Sequence, residues 1–193
     1  NAPFDRVICT LDGSGGKYYL PRLLTHGAPL EVLLNGVDPH RVDTGVVDRL
    51  KTKYGLRGRL TVAFIGRLEM NKGCQEFVSA VIELLKAYPE AVDAVLIGDG
   101  SLRSELEEKT LAEGAADHIK FIGQVPHNLV PAWLEIAGVY VSLNHFGGLS
   151  NANLEAIAAG KCVGVCEVLL ELPVRVLVVV RVVSPAELVD IAR

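Results

Sequence analysis

The sequence predicts an α/β fold: a doubly wound parallel sheet with helices on both faces. Three observations predict it. From residue 60 onward, short apolar runs alternate with longer stretches of helical periodicity. Each run ends in a glycine-bearing loop: Gly66-Arg67, Gly98-Asp99-Gly100, Gly123-Gln124-Val125 and Gly147-Gly148. The chain of 193 residues is 50% hydrophobic and only 22% charged, which suits one good-sized domain and excludes a disordered or fibrous chain.

Residues 4–10 read as a short strand. The stretch L-D-G-S-G-G-K-Y invites a phosphate-loop reading, but the position that needs the first glycine is Leu11. A turn before a helix, Lys17 to Thr25, is the better reading. Residues 30–34 are strand-like, with Asn35-Gly36 as a turn. Asp43 to Tyr54 has the pattern of a helix with a charged outer face, and 55–59 is a break. Leu60 to Ile65 is a strand. The loop 66–73 leads into a helix, Cys74 to Ala87, with apolar positions at 77, 78, 81, 82, 84 and 85. Ala94 to Ile97 is a strand, and Ser101 is expected to cap a helix from Leu102 to Ala112. Ile119 to Ile122 is a strand. Leu129 to Ala137 is a helix with Pro131 in its first turn. Tyr140 to Leu143 is a strand, Ser150 or Asn151 is the N-cap of a helix through Ala159, and Gly160 suits the position past its end. Cys162 to Cys166 is the next strand, and a last helix starts near Pro185 with Ser184 as cap.

Composition narrows the function. A net charge of −4 argues against a nucleic-acid binder. The four cysteines make no C-x-x-C pair and no zinc-ligand spacing, so reduced, buried thiols in a cytosolic protein are expected. No apolar run reaches the roughly 18 residues of a membrane span, and Arg175 and Arg181 interrupt the most apolar tract. The start has no signal-peptide pattern and no initiator Met, so a piece of a longer protein is expected.

The chemistry is expected at the carboxyl ends of the strands. A strand, a glycine loop (Gly147, Gly148) and a helix N-terminus at Ser150–Asn151 make an anion site, because first-turn N–H groups lack intrahelical partners and the helix dipole is positive there. Glu155, four residues after Asn151, lies on the same face and suits the hydroxyls of a ribose or sugar. An ordinary α/β loop whose glycines only make the turn gives the same letters. Arg67 and Lys72 flank the first helix entrance and could meet a pyrophosphate; solvated surface charges are the other reading. Four such loops on one edge of one sheet favour a nucleotide site.

The motifs N-G-V-D (Asn35 to Asp38), F-I-G-R-L-x-x-x-K-G (Phe64 to Gly73), I-G-D-G-x-L-R (Ile97 to Arg103), F-I-G-x-V (Phe121 to Val125) and L-S-N-A-x-L-E-A-x-A-A-G (Leu149 to Gly160) resemble, in this order, the C-terminal half of retaining glycosyltransferases of the GT-B fold, group 1 (family 4) type. The resemblance covers roughly residues 28–167. It implies a Rossmann-like half of a GT-B fold over 28–193, with 1–27 the tail end of an N-terminal domain plus linker; residues 4–38 also look like that domain's last strand and helix. It implies a nucleotide-diphosphate sugar (UDP-, GDP- or ADP-sugar) as donor substrate, with neither cofactor nor metal. By the same resemblance Arg67 and Lys72 hold the pyrophosphate. Gly66, Asp99 and Gly100 line the nucleotide site, Val125 meets the base, and Glu155 the ribose. Gly148, Leu149, Ser150 and Asn151 take phosphate or sugar. The sugar is transferred with retention, cations and helix dipole stabilising the leaving diphosphate. Polysaccharide or glycoconjugate biosynthesis in the cytoplasm follows, with peripheral association at the inner membrane face where the acceptor is lipid-linked.

Three departures stand out. Gly147 occupies the position of the first of two glutamates usual in the family; His145 and Asn144 are candidate substitutes, or ordinary polar loop residues. After Glu167 the sequence leaves the family pattern. The acceptor-binding N-terminal domain is missing, so the chain alone is expected to bind donor without completing transfer. A non-catalytic, degenerate module serving as a partner subunit is the alternative; a nucleotide-sugar epimerase, which shares the fold, lacks its paired acidic residues here.

Overall fold

The computed structural model describes residues 5–10, 16–24, 28–33, 36–37, 42–56, 58–90, 92–145 and 150–165. Expectations for Asn35, Asp38, Gly147, Gly148, Leu149, the tract from Cys166 and the helix near Pro185 lie outside them.

The chain opens with β1 (Val7–Thr10), α1 (Gly16–Leu23) and β2 (Leu30–Leu33), and β1 pairs in parallel with β2. Residue 28, the expected start of the second domain, lies just before β2. Next comes α2 (Thr44–Tyr54), where Asp43 accepts a hydrogen bond from Gly45 N at 2.8 Å, and Gly55 closes the C-terminus. The remainder alternates as expected: β3 (Leu60–Ile65), α3 (Cys74–Ala87), β4 (Val92–Ile97), α4 (Arg103–Ala112), β5 (Ile119–Gly123), α5 (Val130–Ile136), β6 (Val139–Ser142), α6 (Asn151–Ala158) and β7 (Cys162–Val165). Short 3₁₀ turns at Met70–Lys72 and His127–Leu129 precede α3 and α5.

The last five strands form one parallel sheet in the order β5-β4-β3-β6-β7. Its two faces follow from the period of two along each strand. Phe64, Ala94 and Leu96 pack with Phe77, Val78, Val81 and Ile82 of α3 and Leu106 of α4. Their neighbours Ala63, Val95 and Ile97 point the other way, onto Val47 of α2 and Ala132, Trp133 and Ile136 of α5. A third group joins Tyr140 of β6 to Leu134 of α5 and Ala156 of α6. Helices cover both faces, so the sheet is doubly wound and Rossmann-like. Each fully buried apolar side chain contributes roughly 1.5–3 kcal/mol.

Most elements shift by one to three residues at an end, β1 for instance starting at Val7, and two of the differences have a visible cause. Helix α4 starts at Arg103, and Ser101 does not cap it: its hydroxyl and N–H both donate to the Glu69 carboxylate, at 2.8 and 3.2 Å. β4 begins two residues early because Asp93, 3% exposed, is paired to Arg59 at 3.1 Å; with its charge so answered, a carboxylate fits a buried strand.

Candidate functional site

From β3 the chain moves outward through β4 to β5, then returns to place β6 on the other side of β3. The strand order reverses between β3 and β6, and the loops leaving their carboxyl ends border a crevice there.

Backbone bonds between loops build one wall. Gly66 N donates to Ile97 O and Leu68 N to Asp99 O, both at 2.9 Å, and Leu102 N returns to Leu68 O at 3.0 Å. This lacing buries Leu68 completely and brings the chains so close that side chains have no room. A Cβ on Gly98, which sits at φ +133°, would lie 1.9 Å from Gly66 O, and one on Gly100 would lie 2.4 Å from Leu68 O. Those glycines are demanded by the loop–loop approach whatever ligand binds. Asp99 serves the same loop: one oxygen accepts from Gly100 N at 2.8 Å and the other meets Arg103 at 3.3 Å. The two Ser101 hydrogen bonds hold the Glu69 carboxyl below its ordinary range.

Arg67 is exposed and Lys72 half-buried on this wall. Among the described residues neither makes a close ion pair, although the Arg67 charge helps to hold the Glu69 carboxyl below its ordinary range; Arg59, Lys86, Arg103 and Lys161 all have close partners.

The other wall is the segment from Leu143 to α6. Ser150, rather than Asn151, is the N-cap: its Oγ accepts from Asn153 N at 3.3 Å and donates to Asn153 Oδ1 at 2.8 Å. Tyr140 OH donates to the same Oδ1 at 3.0 Å, so a buried network anchors the first turn of α6 to β6. Burial pushes the Tyr140 hydroxyl up to about 12. Asn151 stands exposed at the first helical position. Glu155, one turn in, is 16% exposed and its Oε1 lies 2.9 Å from His127 Nε2. Val125 is half-buried against the α5 side of the sheet.

His145 ties the two walls together through polar contacts. His145 N donates to Asn71 O at 3.1 Å, and His145 Nε2 lies 3.1 Å from Glu76 Oε1 in the first turn of α3. Sequence reasoning missed His127, Glu76, Tyr140 and Asn153. An acidic residue in a helix's first turn was a usable signal for Glu76; the partners of the others come only from the folded chain. Cys74 is buried with its thiol pushed up by desolvation, a poor nucleophile. No helix among the described residues is long and apolar enough to cross a membrane.

With this geometry in view, similarity to known proteins is informative. The family model "Glycosyl transferases group 1" matches residues 47–166. A 2-deoxystreptamine glucosyltransferase of Streptomyces kanamyceticus is 31% identical over 135 residues, 68% of this chain and 35% of that protein. The lipopolysaccharide core biosynthesis mannosyltransferase LpcC of Rhizobium leguminosarum bv. viciae is 30% identical over 163 residues, 80% of this chain and 43% of its own length. The chain thus spans less than half the length of these relatives. Among solved structures, the C-terminal domain of the group 1 protein LpcC from Francisella tularensis superposes with a TM-score of 0.52 at 30% identity, covering 65% of this chain and 70% of that one. Anabaena HepE in complex with UDP-glucose shares the fold, with a TM-score of 0.68 at 20% identity over 83% of this chain and 44% of HepE. The motif order, the reversed strand order and the family match over more than half the chain agree: the chain belongs to the group 1 glycosyl transferases.

Proposed function

We propose that this chain is the donor-binding half of a retaining glycosyltransferase, taking a nucleotide-diphosphate sugar and passing the sugar to an acceptor held by an N-terminal domain. The observation that carries this reading is the reversal of strand order between β3 and β6, at whose carboxyl ends an open α/β sheet takes its ligand in a crevice. Two cations with no close ion pair among the described residues, Arg67 and Lys72, lie on its β3–α3 wall, and the N-terminus of α6 opens its β6–α6 wall. A pyrophosphate calls for that combination of positive charge and a helix N-terminus. Arg67 and Lys72 take the diphosphate, with Gly66, Gly148, Leu149, Ser150 and Asn151 supplying backbone and loop contacts. Glu155 accepts from ribose hydroxyls, displacing His127, and Val125 packs beside the base. Asp99 and Gly100 act by shaping the adjoining loop. As the glycosidic bond breaks, negative charge grows on the leaving diphosphate, and fixed cations stabilise it without a bound metal. LpcC and the Streptomyces enzyme are named as transferases of a hexose, which supports a hexosyl donor and a glycoconjugate acceptor.

Thermal unfolding with UDP, GDP, ADP and their sugar conjugates, in EDTA, tests this. Ligand at a hundred times its dissociation constant adds roughly 2.7 kcal/mol, enough to raise Tm by a few degrees. One base should give that shift and the others far less. A cooperative melt that no nucleotide moves overturns the reading. It would favour a non-catalytic partner subunit, the reading suggested by Gly147 standing where the family has a glutamate. Retention is read separately, from the anomeric proton coupling of the first-formed product.

A further inference from the structure

Glu76 is a carboxylate only half answered by the protein. Its Oε1 faces His145 Nε2 at 3.1 Å, while its Oε2 is buried with no hydrogen-bond partner among the described residues. An acceptor left unpaired away from water is costly, so such an atom calls for a donor that the chain does not supply. His145 opens the β6–α6 loop, and its N–H is tied to Asn71 O, one residue before Lys72. The pair therefore spans the two walls of the crevice, each side chain about one-third exposed.

The hydrogen bond to the carboxylate puts a proton on Nε2, and in that tautomer Nδ1 is an acceptor. Nothing among the described residues bonds to Nδ1. Two acceptors on paired residues, Glu76 Oε2 and that Nδ1, thus lack donors among the described residues. A phosphate, which brings acceptors only, is the wrong partner for them. A ligand rich in hydroxyl groups is the right one.

We propose that Glu76 and His145 form a hydroxyl-reading subsite for the sugar of the nucleotide sugar, with Glu76 also positioning the imidazole. This rests on the donor-site reading above. It supplies a carboxylate from α3 to a site whose β6–α6 loop carries glycine at 147.

The test is calorimetric titration of the full-length protein and its Glu76→Gln and His145→Ala variants. The titrants are UDP, GDP and ADP and their glucose, N-acetylglucosamine and mannose conjugates. Glu76→Gln keeps the shape but turns one acceptor into a donor. Both variants should lower affinity for the preferred conjugate about tenfold while affinity for the matching nucleoside diphosphate stays within twofold. His145→Asn, which keeps a side-chain acceptor, should recover part of the loss. A purely structural bridge would weaken both ligands together and lower Tm. Equal weakening of both, or no change in either, overturns the subsite. So does a wild-type protein that binds a nucleoside diphosphate but none of its conjugates. A wild-type protein that binds no nucleoside diphosphate overturns the donor-site reading itself, and the subsite with it.

Discussion

Replacing Arg67 or Lys72 by alanine removes a charge that makes no close ion pair among the described residues, Arg67 acting only weakly on the Glu69 carboxylate. Stability should therefore stay within about 0.5 kcal/mol, the usual range for a surface change. Nucleoside diphosphate affinity should fall ten- to a hundredfold, since a charge-assisted hydrogen bond is worth about 1.5–3 kcal/mol; calorimetry and Tm read the two effects separately. A loss of stability with unchanged binding would make these residues structural. Tyr140 supports a different expectation. Burial raises its hydroxyl to about 12 from an ordinary 10.0, so the folded state favours the neutral phenol. That stabilisation is whole below pH 10 and is lost as pH rises toward 12, about 3 kcal/mol in all. Tyr140→Phe should cost about 1 kcal/mol at neutral pH through the lost Asn153 bond, and should flatten the alkaline fall in denaturant-derived stability. The sequence could nominate Arg67, Lys72 and Glu155 as candidates because charge beside a glycine loop is a local pattern. His127, which reaches Glu155 across 28 positions, was not, because no spacing rule links residues that only the sheet brings together.

Among the elements, β3 and α3 begin and end where apolar periodicity places them. Periodicity succeeded there because both are buried along a full face. It failed at the start of α4, where Ser101 has the letters of a cap but a carboxylate from another loop claims both its donors. The glycines of the carboxyl edge were legible as loops, yet their reason was not. Gly73 shows it best: at φ +72° it ends the turn before α3, and a Cβ there would stand 2.3 Å from Leu143 Cβ and 2.4 Å from Leu143 O. The second contact is backbone, so relaxation must move β6 or the start of α3. Gly73→Ala should therefore cost more than about 2 kcal/mol, the left-handed penalty of 1–2 kcal/mol plus the clash. Chemical denaturation measures that cost. Displacing Lys72, Glu76 and His145 together should also abolish nucleotide binding, whereas Gly36→Ala, with nothing within 4 Å of the added carbon, should change neither.

For the whole molecule, the alternation of strands and helices was enough to infer a parallel sheet, but not the order β5-β4-β3-β6-β7, because adjacency is decided by which faces the crossover helices can cover. That order creates the crevice and also divides the chain by stability. The five-stranded sheet buries Ala63, Ala94, Val95 and Leu96 at 0% exposure between two helical layers. The β1–α1–β2 unit is a two-stranded pair with one short helix interrupted by Pro21, and it leaves Ile8, Tyr18, Tyr19, Val32 and Leu33 exposed. Two strands with a single helix bury too little apolar surface to stand against chain entropy on their own. Opening of this unit should therefore not wait for global unfolding. Amide hydrogen exchange on this chain tests the point. Amides of Val95, Leu96 and Ile97 should exchange only through global opening, with protection that tracks the denaturant-derived stability, while those of Val32 and Leu33 should exchange at least a hundredfold faster through local opening. Addition of the preferred nucleotide should slow the first group, whose opening breaks the crevice, and leave the second unchanged. Equal protection of both groups would mean that residues 7–33 are held by a surface of the sheet and unfold with it as one cooperative body.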